Sequence, residues 1–139
     1  MNWLFWSLLS AFFAALTAIL AKLGVKGVDS NLATAVRTTV VLLFAWSVAC
    51  ATSPVAAVLA LPRRTWLFLT LSGLATGLSW LCYFRALQLG EASKVAPIDK
   101  LSVVLVIVFA AIFLGESLTL KTVFGGGLIA AGALVLALK

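Results

Sequence analysis

The sequence predicts an all-α integral membrane fold with five transmembrane helices, and three observations predict it. Of the 139 residues, 64% are hydrophobic and only 10% charged. Mean hydropathy is +1.22, and the charges fall between long uncharged runs. A bilayer core takes about 20 residues of helix to cross, so five spans use roughly 100 positions and leave only short connections. Ten basic residues against four acidic ones give a net charge of +6. These charges are dispersed through apolar sequence rather than gathered on a solvated patch, which argues against nucleic acid as a partner. The basic excess is instead topology information. Histidine is absent, and Cys50 and Cys82 have no ligand-like spacing. No glycine-rich loop precedes a Lys-Ser/Thr pair, since Gly125, Gly126 and Gly127 open an apolar segment. Neither a metal, a cofactor nor an enzymatic activity is expected.

The five spans are expected at about 3–21, 31–51, 66–86, 95–115 and 120–138, as one transmembrane domain over 1–139. Trp3 to Ala21 carries no charge and no basic segment precedes it, which makes it a transmembrane helix rather than a secretory signal. Lys22 and Gly24 end it, and Lys26 and Asp29 lie in a short loop. The second helix runs back from Ala51, just before Ser53-Pro54, where proline removes a helical hydrogen bond. That start near Asn31 places Arg37 inside the span. Trp66 anchors the third span at the interface, and Arg85 lies in its last turn. In the fourth, the uncharged stretch Leu101 to Gly115 reaches only about 22 Å against a core of about 30 Å. Starting the helix near Lys94 or Val95 restores the length, puts Pro97 in the first turn, and draws Asp99 and Lys100 into the membrane. Glu116 closes that helix at the interface.

An odd number of spans puts the termini on opposite faces. Arg63, Arg64 and Lys121 then share the N-terminal side, while Lys22, Lys26, Arg37, Arg85, Lys94, Lys100 and Lys139 share the other. The positive-inside rule makes the second side cytoplasmic, with the N-terminus outside and the C-terminus inside. Setting aside the intramembrane Arg37, Arg85 and Lys100 leaves a weak bias, so insertion in both orientations is also expected.

Lipid tails are as apolar as leucine, so helices in a bilayer associate through small residues. At 100° per residue, Ser7, Ser10, Ala11, Ala14, Thr17, Ala18 and Ala21 share one face of the first helix, opposite Phe5, Leu8, Phe12, Leu16 and Ile19. On the third helix Gly73, Thr76, Gly77, Trp80 and Tyr83 share a sector. Gly73 and Gly77 form a GxxxG pair suited to close packing, while Trp80 and Tyr83 either line a cavity or belong to an interfacial aromatic belt. Gly126 and Ala130 mark a packing or dimerisation surface on the fifth. Arg37, Asp99 and Lys100 each enter about 8 to 10 Å along their helices, and Arg85 reaches a similar level from the opposite direction. Intramembrane charges cost a few kcal/mol on insertion scales and point to function by default. The structural alternatives are snorkelling of the long side chains and simple pairing of Asp99 with Arg37.

The run Ala86-Leu87-Gln88-Leu89-Gly90, then Glu91-Ala92-Ser93-Lys94-Val95-Ala96-Pro97-Ile98, Lys100-Leu101-Ser102, Phe113-Leu114-Gly115-Glu116 and Leu118-Thr119 resembles the EamA family of the drug/metabolite transporter superfamily. The Arg37-Thr38-Thr39 entry to the second helix is similar to its short, five-helix bacterial and archaeal members. The resemblance implies an inner-membrane transporter fold in which longer relatives carry two five-helix halves in opposite orientations. One half would then work as a homodimer, antiparallel copies included. It also implies a secondary transporter, generally an exporter, of small metabolites or amphipathic solutes by alternating access. On this reading the pathway takes Arg37, Thr76, Trp80, Tyr83, Asp99, Lys100 and Ser102, with Ala14, Ala18, Gly73, Gly77, Gly126 and Ala130 at helix or dimer interfaces. Arg37 and Lys100 would attract an anionic or zwitterionic group, and Trp80 and Tyr83 would hold an apolar portion. Two competing readings are a non-transporting membrane subunit that regulates a larger complex and a lipid-head-group transporter.

Overall fold

The computed structural model describes residues 2–138; Lys139, counted above on the cytoplasmic side, lies outside them. The described residues form helices joined by short connections, with no strand. Helix α1 spans Trp3–Gly24 and α2 spans Ser30–Thr52, followed by a 3₁₀ turn at Val55–Val58. Helix α3 covers Arg63–Leu89, three residues beyond the expected limit at each end. The fourth segment divides into α4 (Ala92–Asp99), α5 (Ser102–Phe109) and a π-helical turn at Ala110–Leu114, and α6 spans Leu120–Ala137. Taking Ala92–Leu114 as one span, five segments are long and apolar enough to cross a membrane. The protein is an all-α, multi-pass membrane protein.

Local chemistry sets the boundaries. The Asp29 carboxylate caps α2, accepting from the backbone N–H of Asn31 at 2.9 Å and Leu32 at 3.0 Å. Ser53 is extended and Pro54 follows, so α2 stops there. Thr119 caps α6, its hydroxyl accepting from the Thr122 N–H at 3.2 Å. Within the spans, Ser7, Thr34, Thr38, Thr39, Ser47, Thr52 and Thr76 donate their hydroxyls to carbonyls of their own helix. In hydrocarbon, where water satisfies nothing, this lets a hydroxyl sit in a span without a partner helix.

Helix α4 starts at Ala92, earlier than Lys94 or Val95, because the extended Glu91 offers its carbonyl to the N–H groups of Lys94 and Val95. Pro97 therefore lies in the helix interior rather than its first turn. The consequence is a tightened ladder, not an unwound gap. Lys100, Leu101, Val103 and Val104 bond three residues back, at 3.0 to 3.1 Å, the pattern of a 3₁₀ turn. Gly115 ends the span in the left-handed conformation, φ 69°, which a residue without Cβ adopts at little cost.

By contacts the chain divides into two compact units. One takes the start of the chain through Leu20 together with everything from Leu89 onward; the other is Ala21–Gln88. In the first, α6 packs on α4 and α5. Gly126 is buried, and a Cβ added there would stand 3.1 Å from Ile107 Cδ1. In the second, Ala21, Val25, Phe84 and Leu87 are the buried apolar residues. Most large apolar side chains are exposed, as expected where the surroundings are lipid and burial supplies no hydrophobic drive.

Candidate functional site

The unit Ala21–Gln88 holds the most unusual arrangement of charge. Arg37 lies on α2 about 10 Å from the helix start, at 1.5 Å per residue. Its guanidinium carbon stands 4.2 Å from the centroid of the Trp80 ring and 5.6 Å from that of Phe84. Trp80 and Phe84 are four residues apart on α3, so they form one row on its face. Tyr83 lies three residues after Trp80 on the same helix. Phe84 is 3% exposed and Trp80 and Arg37 are half-buried.

A cation over an aromatic face gains about 0.5 to 1 kcal/mol when exposed and about 2 or more when desolvated. Against that gain stands an orphaned donor. Nη1 of Arg37 is buried and meets no acceptor among the described residues, and a charged donor left unsatisfied costs more than the 1 to 3 kcal/mol typical of neutral groups. The rings hold the guanidinium by its charge and leave that donor unused. A planar fork of N–H groups fits a carboxylate or phosphate, and the indole offers an apolar surface beside it.

The structure brings together Arg37, Trp80 and Tyr83 from the expected pathway. Thr76 lies one turn before Trp80 in the same row, with its hydroxyl donating to the Ser72 carbonyl at 2.9 Å. Asp99, Lys100 and Ser102 belong to the other unit. There Lys100 Nζ and Asp99 Oδ2 pair at 3.7 Å, with side chains 58% and 39% exposed, and Ser102 is exposed at the start of α5. Of the expected packing residues, Ala18 is buried at 7% exposure and Gly126 meets Ile107. Ala130 is half-buried and Ala14 exposed. A Cβ at Gly73 or Gly77 would meet nothing within 4 Å.

Two features escape the sequence reading. Phe84 completes the aromatic row, and the four-residue step from Trp80 is the signal that marks it. Lys22 is the other: its ammonium donates to the Leu87 carbonyl near the end of α3. A lysine in the last turn of a helix ordinarily complements the helix dipole, and nothing in the sequence names a carbonyl on another helix.

Comparison with known proteins gives this unit and the rest of the chain one context. Residues 1–138 match the EamA-like transporter family. A protein of Sinorhizobium sp named as an uncharacterized transporter in the cobO 3' region is 56% identical over 136 residues, covering 98% of this chain and 96% of that protein. No solved structure matches. A match that runs from the first span through the last, with a transporter-named relative aligned at nearly full length, shows that the chain belongs to the EamA-like transporter family of membrane transporters.

Proposed function

We propose that the protein is a secondary transporter that exports a small solute bearing a carboxylate or similar anionic group across the cytoplasmic membrane. It works as a homodimer by alternating access. The observation that carries the solute class is the buried, unused donor of Arg37 held over Trp80 at membrane depth. An ion pair serving only to neutralise the arginine would consume that donor. Arg37 receives the anionic group, and Trp80, with Tyr83 beside it, accepts the apolar portion. Thr76, Asp99, Lys100 and Ser102 serve the same pathway, with Lys100 supplying a further cation. The outward direction and the pairing of two copies come from the resemblance to longer relatives with inverted halves.

The test is solute-induced fluorescence of Trp80 in a chain whose other tryptophans, Trp3, Trp6, Trp46 and Trp66, are phenylalanine, followed by counterflow in proteoliposomes. A panel of amino acids, aliphatic carboxylic acids and aromatic carboxylic acids, each beside its amide, serves as the probe. Acids shift the Trp80 signal and amides do not, and Arg37→Gln abolishes both the shift and counterflow. Equal responses to acids and amides would reject the anionic-solute reading. In the same vesicles Lys100→Ala loses counterflow while insertion and oligomeric state are kept; undiminished counterflow would remove Lys100 from the pathway.

A further inference from the structure

The connection between α1 and α2 carries a second basic feature, separate from Arg37. A cavity of about 370 Å³ opens there, lined by Lys22, Leu23, Val25, Lys26, Gly27 and Gln88. That volume lies within the range of ligand pockets, about 300 to 1,000 Å³. Two of its polar side chains are held by hydrogen bonds to backbone carbonyls. The Lys22 ammonium donates to the carbonyl of Leu87, a fully buried residue, and so keeps its charge at a fixed place on the cavity wall. Gln88 Nε2 donates to the Val28 carbonyl at 2.7 Å, and Arg85 Nη1 donates to Gln88 Oε1 at 2.7 Å. The nearby acid, Asp29, is turned to the start of α2, where two backbone N–H groups occupy its carboxylate.

The backbone adds donors. Gly27 is left-handed, φ 75°, and the consecutive N–H groups of Lys26 and Gly27 make no hydrogen bond among the described residues. Successive N–H groups around a left-handed residue form a concavity suited to anions. The loop joins two spans and therefore sits at a membrane face, at the level of lipid phosphates, where basic pockets between helices bind anionic head groups.

We infer that this cavity binds a phosphate group, on an anionic lipid or free in solution, through Lys22, Lys26 and the Lys26-Gly27 backbone. Lys26 is exposed and makes no ion pair or hydrogen bond among the described residues, so its removal leaves the fold intact. Native mass spectrometry of the purified full chain with phosphatidylglycerol or phosphatidylcholine tests the site. Lys26→Gln weakens phosphatidylglycerol binding about fivefold, as expected for loss of one surface cation, and leaves phosphatidylcholine unchanged. Lys121→Gln, which removes a lysine outside the cavity, has no such effect. Equal binding by Lys26→Gln and the unaltered protein, or an equal loss in Lys121→Gln, would overturn the assignment. Competition with inorganic phosphate separates the sources: displacement assigns the cavity to free phosphate, and retention of the lipid assigns it to the membrane. Transport through Arg37 does not enter this readout, so each proposal can fail alone.

Discussion

Arg37 is expensive where it stands. It sits in a span whose other residues are uncharged, with one nitrogen buried and unsatisfied, and its compensation is the Trp80 and Phe84 faces. A charge inside a span costs a few kcal/mol on insertion scales, and Arg37 has no ion-pair partner among the described residues. Arg37→Met is therefore expected to keep or raise the thermal midpoint in detergent while losing solute response. A lowered midpoint would make the arginine a packing element instead. The charge itself was legible, because a lone cation inside an apolar run stands out in any reading of the sequence. Its surroundings were legible in part: Trp80 and Tyr83 share the expected sector of α3, whereas Phe84 carries no polar atom to separate it from lipid-facing phenylalanines.

At the scale of helices, the packing of α6 on α4 and α5 depends on size at one position. Gly126 faces the end of the Ile107 side chain, and a Cβ there would already be in tight contact at 3.1 Å. Overpacking a close contact costs about 1 to 3 kcal/mol. Gly126→Leu is thus expected to lower the stability in detergent by that amount. The neighbouring Gly127→Ala, with nothing within 4 Å of the added Cβ, is expected to be neutral; thermal unfolding of the two variants side by side reads the difference. A run of three glycines announces a close approach without saying which member makes it. The fourth span taught a related lesson. Its need for residues upstream of Leu101 was plain from length, but the capping carbonyl of Glu91 and the tightened ladder after Pro97 are matters of hydrogen-bond geometry.

At the scale of the whole molecule, the weak charge bias and the odd number of spans lead to a prediction about orientation. In a background lacking Cys50 and Cys82, both free in the protein, single cysteines at each terminus are expected to label from both sides of the membrane in intact cells. Crosslinked dimers are expected in the same samples. Labelling from one side alone would exclude the antiparallel homodimer and call for a parallel assembly or a separate inverted partner. Gly73 and Gly77, where an added Cβ would meet nothing within 4 Å among the described residues, are the positions where leucine is expected to weaken such a dimer.

The sequence by itself determined that this is a membrane protein of the EamA-like transporter family with five helices long and apolar enough to span a bilayer, and that Arg37 is a charge within one of them. Each follows from composition, run length or motif order, which are properties of the chain in one dimension. The tertiary structure decided which groups meet. It set Arg37 over Trp80 and Phe84, turned Lys22 onto the Leu87 carbonyl, and brought Gln88 to the loop at Val28. Those meetings join residues as many as 65 positions apart. In lipid they rest on directional contacts and local shape rather than on a hydrophobic pattern that a sequence displays.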